Sequence, residues 1–127
     1  MTAARNGLVG AWRLVLLEEA DANGDTHPCD CTGMFVFTSD GHAAVQVMWR
    51  SEQAAAGSGY SQGGYEASFG RYVLDEQTHT FTFHIDGALV RSLIGKDLPR
   101  RYELSGNRLV ITSARADERW RATWELR

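Results

Sequence analysis

The stretch Thr32-Gly33-Met34-Phe35-Val36-Phe37-Thr38-Ser39-Asp40-Gly41-His42-Ala43-Ala44-Val45-Gln46-Val47-Met48-Trp49-Arg50 decides the fold class. Two β-rich runs, Thr32 to Ser39 and Ala43 to Arg50, flank Asp40-Gly41-His42, and an Asp-Gly pair supplies the positive φ that a tight hairpin needs. In the second run Val45, Val47 and Trp49 share one face and Gln46, Met48 and Arg50 the other. By area the apolar face is the one to bury, and Gln46 and Met48 become candidates for ligand contact only in a hollow fold.

The same grammar recurs along the chain, with turn residues at roughly the 8–12-residue spacing of all-β barrels and sandwiches. Eight strand candidates emerge: Leu8 to about Glu19, the two runs above, Phe69 to Asp75, Thr78 to Asp86, Arg100 to Leu104, Arg108 to Ser113 and Arg119 to Leu126. Turn signals at Asp21 to Asp25, Glu76-Gln77 and Ser105-Gly106-Asn107 separate several of them. In the last strand Trp120, Ala122, Trp124 and Leu126 alternate with Arg119, Arg121, Thr123 and Glu125, the signature of a half-buried strand. Likewise Gly70, Tyr72 and Leu74 oppose Arg71 and Asp75, and Leu109 groups with Ile111. Sequential strands with one wet face suit an antiparallel meander, and eight of them close into a barrel wide enough for one small ligand. Alternation cannot prove closure, so a β-sandwich remains an alternative.

Helical periodicity is weak everywhere except between Ser51 and Ser68. There, three alanines support one helical turn before Gly57-Ser58-Gly59-Tyr60-Ser61-Gln62-Gly63-Gly64, whose glycines are costly to order. A short helix or mobile loop at one mouth, residues 51–68 with Ala54 to Gly64 as the loosest part, is the expectation.

Composition bounds the rest. At 127 residues the chain holds one domain, 1–127, with 1–7 as a tail, and 43% apolar residues can line one core or one cavity. Thirteen Lys and Arg against sixteen Asp and Glu give a formal charge of −3, the wrong sign for a phosphate backbone, so no nucleic-acid partner is expected. Apolar runs such as Leu14 to Leu17 fall far short of the roughly 20 residues that span a bilayer, so no membrane partner is expected either. Met1 to Asn6 leads into strand-like sequence instead of a secretory h-region, which points to a cytoplasmic protein.

No cofactor is expected. His27, Cys29 and Cys31 invite a metal reading, but a single-residue Cys gap is unlike the usual zinc spacing and no fourth ligand is evident. The same gap strains a disulfide. Gly57-Ser58-Gly59 lacks the strand, helix and glycine spacing of a dinucleotide loop.

Gly10-Ala11-Trp12 reproduces the Gly-x-Trp element that opens lipocalin-like barrels. Thr32-Gly33, Ser39-Asp40-Gly41-His42, Phe69-Gly70-Arg71-Tyr72, His84-Ile85-Asp86-Gly87 and Arg100-Arg101-Tyr102-Glu103-Leu104 follow it in order. Together they resemble, over nearly the whole chain, the lipocalin-like domain family of small bacterial and fungal proteins. The resemblance implies an all-β, single eight-stranded antiparallel barrel with Trp12 closing its floor. For some relatives it also implies natural-product pathways in which such a barrel shapes an isomerisation or cyclisation. The Ser51 to Gly64 segment and His27-Pro28-Cys29-Asp30-Cys31 depart from the pattern and would alter the barrel mouth.

Three functions then compete: binding of a largely apolar small molecule such as a secondary metabolite, cofactor-independent isomerisation or cyclisation of a polyketide- or terpenoid-like substrate, and a solid structural domain. The candidate catalytic residues are Tyr72, His84 and Arg100, as hydrogen-bond donors or proton carriers. Candidate ligand contacts are Trp12, Gln46, Met48, Trp49, Tyr65, Phe69, Tyr102 and Trp124. If Phe81, Phe83 and Ile85 point inward, His84 points outward by alternation, and only the family resemblance favours it inside. Arg100 shares a face with Tyr102 and Leu104; inward it requires an anionic partner, outward it is an ordinary surface arginine. Tyr72 is either a ligand contact or a tyrosine bonded to the wall.

Overall fold

The computed structural model describes residues 6–21, 23–51 and 59–127. Among them nine strands run β1 (Gly10–Ala20), β2 (Thr26–Pro28), β3 (Cys31–Phe37), β4 (His42–Trp49), β5 (Tyr65–Asp75), β6 (Thr80–Ala88), β7 (Asp97–Ser105), β8 (Arg108–Ser113) and β9 (Trp120–Leu126). From β3 to β9 each strand pairs antiparallel with the next, and β1 pairs with both β3 and β9, so the sheet closes into an eight-stranded barrel. The ninth strand, β2, extends the β3 side of β1: Glu18 faces Pro28, and Cys29 N–H donates to Leu17 O at 2.8 Å in the gap between β2 and β3. The sequence reading placed only a turn before Thr32, because three residues of edge strand carry no alternation to detect.

The deciding hairpin forms as its residues dictate. Phe35 faces Val45 and Phe37 faces Ala43, Gly41 adopts φ +91°, and the Thr38 hydroxyl accepts the His42 N–H at 2.9 Å. Val45, Val47 and Trp49 are buried; Gln46 and Met48 are exposed. Elsewhere, strands start earlier than expected: β5 at Tyr65 and β7 at Asp97. The expected helix between Ser51 and Ser68 falls largely on residues 52–58, outside the described set, and Tyr65 to Ser68 is strand. A 3-10 turn at Arg91–Leu93 was not legible, since three residues leave no periodic signal. Among the described residues no helix is long and apolar enough to cross a membrane.

Two irregularities set which side chains enter the barrel. In β1 the pairing with β9 shifts between Leu14 and Leu16, leaving Val15 and Leu16 both outward at 39% and 38% exposure. The inward parity therefore passes from Trp12 and Leu14 to Leu17 and Glu19. In β5 the register slips between Phe69 and Gly70, where the His84 carbonyl comes so close that a Cβ on residue 70 would stand 1.8 Å from it. Only glycine fits there.

One end of the barrel is solid. Phe37 stacks on Phe35 at 4.4 Å and meets Tyr72 and Phe81 edge-on at 5.1 and 5.5 Å. Trp12, 1% exposed, lies in this floor and donates its indole N–H to Leu8 O at 2.8 Å. Trp12→Phe keeps most of the ring but orphans that carbonyl, so a loss of about 1–3 kcal/mol in stability is expected, read as a shift in the urea midpoint. No shift would mean that the floor does not depend on the bond.

Candidate functional site

Above the aromatic floor the barrel is hollow. A cavity of about 80 Å³ is walled by Leu17, Phe35, Val47, Phe83 and Ile111 together with Trp49, Trp120 and Trp124. Tyr60 and Leu93 also line it. The volume exceeds what one water requires by several-fold.

The polar groups in this apolar wall are few. Arg100 enters because β7 alternates Leu98, Arg100 and Tyr102 inward, and it is only 7% exposed. Its guanidinium donates to Pro99 O at 3.1 Å, lies 3.9 Å from Glu118 Oε1, and sits over the rings of Trp120 and Tyr60 at 4.9 and 5.3 Å. Glu118 accepts hydrogen bonds from Ser113 Oγ at 2.6 Å and from the Tyr60 hydroxyl. Burial opposes its ionisation, but those two bonds and the Arg100 charge hold its carboxyl below the ordinary value. Burial and the Glu118 contact push the Tyr60 phenol up.

On the other side of the cavity Glu66 and Ser68 project from β5, two residues apart on one face. Among the described residues neither side chain has a hydrogen-bond partner, although Ser68 is only 9% exposed. Glu66 is half-buried, and its carboxyl lies deep in the wall of the cavity. This burial pushes the carboxyl up to about 7; Arg100 draws it back, and Glu19 raises it further.

Glu19 accepts a hydrogen bond from the Cys29 thiol, Sγ to Oε1 3.1 Å. Burial lifts Cys29 to about 12 and Cys31 to about 11, so both remain protonated near neutrality and neither is a nucleophile there. Trp49 lies beside the Cys29 sulfur, close enough to favour its thiolate, but without hydrogen-bond geometry. The indole N–H groups of Trp49, Trp120 and Trp124 are occluded and unpartnered among the described residues. There, too, no three His, Cys, Asp or Glu side chains are grouped to hold a metal ion.

Of the residues singled out from sequence, Trp49, Trp124 and Arg100 meet at the cavity. Trp12, Tyr72 and Tyr102 are buried but lie outside it. Tyr72 takes the wall-bonded alternative: its hydroxyl donates to Thr38 O at 2.7 Å and accepts from Asn6 Nδ2 at 3.1 Å. Tyr102 stacks on His79 at 5.8 Å. Gln46, Met48 and Phe69 face outward, and Tyr65 shares the outward parity of Phe69. Phe69 is 58% exposed and covers Gly87.

His84 also faces outward, since Phe83 and Ile85 fill the interior, and its Nδ1 lies 2.6 Å from Asp97 Oδ1. The family landmark around it marks the wall, not the cavity. Sequence reasoning passed over Glu19, Tyr60, Glu66, Ser68 and Trp120 as cavity residues, and Glu118 beside Arg100. The alternation already assigned to Gly70, Tyr72 and Leu74, carried back along β5, would have reached Ser68 and Glu66.

The model of the lipocalin-like domain family matches residues 9–127. No curated protein matches the chain. Among solved structures the chain is similar to a lipoprotein, YedD, from Klebsiella pneumoniae subsp. pneumoniae, at 16% identity and a TM-score of 0.49, over 99% of this chain and 76% of that one.

Proposed function

Because the chain belongs to the lipocalin-like domain family, whose barrel is suited to small hydrophobic ligands, we propose that it binds a small, largely apolar metabolite in the cavity above Trp12. The observation that carries this reading is a hollow, tryptophan-lined interior in which a few polar side chains, Arg100, Glu66 and Ser68, stand among apolar walls. That is the composition by which pockets bind through apolar area and orient through isolated polar contacts. Trp49 and Trp124 supply wall, and Arg100 with Glu66 supplies orientation.

An environment-sensitive apolar dye is therefore expected to bind with fluorescence enhancement and to quench tryptophan emission. Val47→Trp, which fills the cavity, abolishes binding, while His84→Ala on the outer wall leaves it unchanged. Dye binding that survives the filled cavity would sink the reading.

The second reading is cofactor-independent isomerisation or cyclisation, and Glu66 is what favours it. A carboxyl that titrates near neutrality inside an apolar pocket is placed to take and return a proton, with Arg100 able to stabilise developing negative charge. On that reading proton transfer falls to Glu66, since His84 and Tyr72 do not reach the cavity. Loss of substrate conversion in Glu66→Gln with dye binding intact is its expected result; conversion unaffected by the substitution would refute it.

A further inference from the structure

The cavity contains more negative than positive charge. Among the described residues its carboxyls are Glu19, Glu66 and the adjoining Glu118, and its one cation is Arg100. Arg100 is already engaged by Glu118, by Pro99 O and by the faces of Trp120 and Tyr60. Neither Glu19 nor Glu66 has a salt-bridge partner among the described residues. Ser68, nine-tenths buried beside Glu66, offers a hydroxyl oxygen with no partner among the described residues.

Resting on the cavity-binding reading above, we propose that the ligand is a small organic amine, whose ammonium group is held by Glu66 with Ser68 and Glu19 beside it, and whose apolar body lies against Trp49 and Trp124.

An ammonium presents three donors and no acceptor, and this end of the cavity offers two carboxyls and a hydroxyl. Tryptophan faces add cation–π attraction that is stronger where water is excluded. An anionic ligand would have to pair with an arginine that Glu118 already engages while lying near two carboxyls that have no salt-bridge partner among the described residues. A neutral ligand would leave one carboxylate buried without a counter-charge, and the group would take up a proton instead. The groups that face Glu66 and set its ionisation are Glu19 from β1 and Arg100 from β7, with Cys31 of β3 also within electrostatic reach.

The test uses three ligands of one shape and different charge: phenethylamine, phenethyl alcohol and hydrocinnamate, each titrated by calorimetry and by displacement of the apolar dye. At about pH 8 the amine is expected to bind about tenfold or more tighter than the alcohol, with hydrocinnamate weakest. Glu66→Gln is expected to bring the amine to within about threefold of the alcohol, both measured on that variant. Lowering the pH to about 5.5 should have the same effect on the wild type, because the amine stays charged while Glu66 takes up a proton. Equal binding of all three, preference for hydrocinnamate, or an amine preference that survives Glu66→Gln would each overturn the proposal. If the dye binds and all three ligands displace it alike, only the charge assignment fails. If the dye itself does not bind, the cavity-binding reading fails with it.

Discussion

Replacing Glu66 by Gln is expected to stabilise the unliganded barrel by on the order of 3 kcal/mol at about pH 8 and to change little near pH 4. The carboxyl, ordinarily near 4.5, is pushed up to about 7 by burial, so the folded state holds its proton where the unfolded chain has released it. The proton's contribution to stability is fully present below the unfolded value of 4.5 and is lost as pH rises through 7. Above that, the fold must accommodate a desolvated carboxylate that Arg100 only partly offsets. Glutamine keeps the shape and removes the charge. Urea midpoints measured between about pH 4 and pH 8 give the result directly: the two proteins should coincide at the acid end and diverge toward the alkaline end. A constant offset at all pH values would show that the burial of Glu66 is not felt as charge.

Arg100→Met is expected to act in the opposite direction, costing about 3 kcal/mol near neutrality. The substitution leaves Glu118 with its hydrogen bonds from Ser113 and Tyr60 but without the neighbouring charge, and it takes from Glu66 the one cation that favours its ionised form. The cost is set at the lower end of what breaking a buried pair entails, because the Glu118 side chain retains 22% exposure and the pair is 3.9 Å apart. Coupling identifies the mechanism. Adding Glu118→Gln to Arg100→Met should recover a large part of the loss, and the Glu66 titration should move further above 7 in the Arg100 variant. If the double variant is no more stable than Arg100→Met, the arginine acts through packing over Trp120 and Tyr60 instead of through charge.

These two effects converge on groups that a sequence reading weighs differently. Arg100 was legible as a residue needing an anion if it turned inward, because it shares its face with Tyr102. Glu66 was hidden by the glycines before it: residues 57–64 read as loop, and the strand was begun at Phe69, four residues after its true start. His84 drew attention through its chemistry, but its neighbours decide its direction. Phe81, Phe83 and Ile85 are all 3% exposed or less, and three inward apolar side chains outweigh one imidazole.

By itself the sequence determined an antiparallel all-β chain with a hairpin at Asp40-Gly41, a buried face of Val45, Val47 and Trp49, and a last strand turned inward at Ala122 and Trp124. These are local facts: the period of two separates wet from dry side chains, and Asp-Gly meets the backbone demands of the turn. The tertiary structure alone decided closure, since the pairing of β1 with β9 joins residues more than a hundred apart and leaves no mark on either strand. It also decided what the cavity contains. A shift of pairing after Leu14 changes which alternate residues of β1 face inward, and so directs Glu19 toward the cavity. Closing the sheet then brings Glu19, Glu66 and Arg100, from three strands far apart in the chain, to one interior where water no longer screens them.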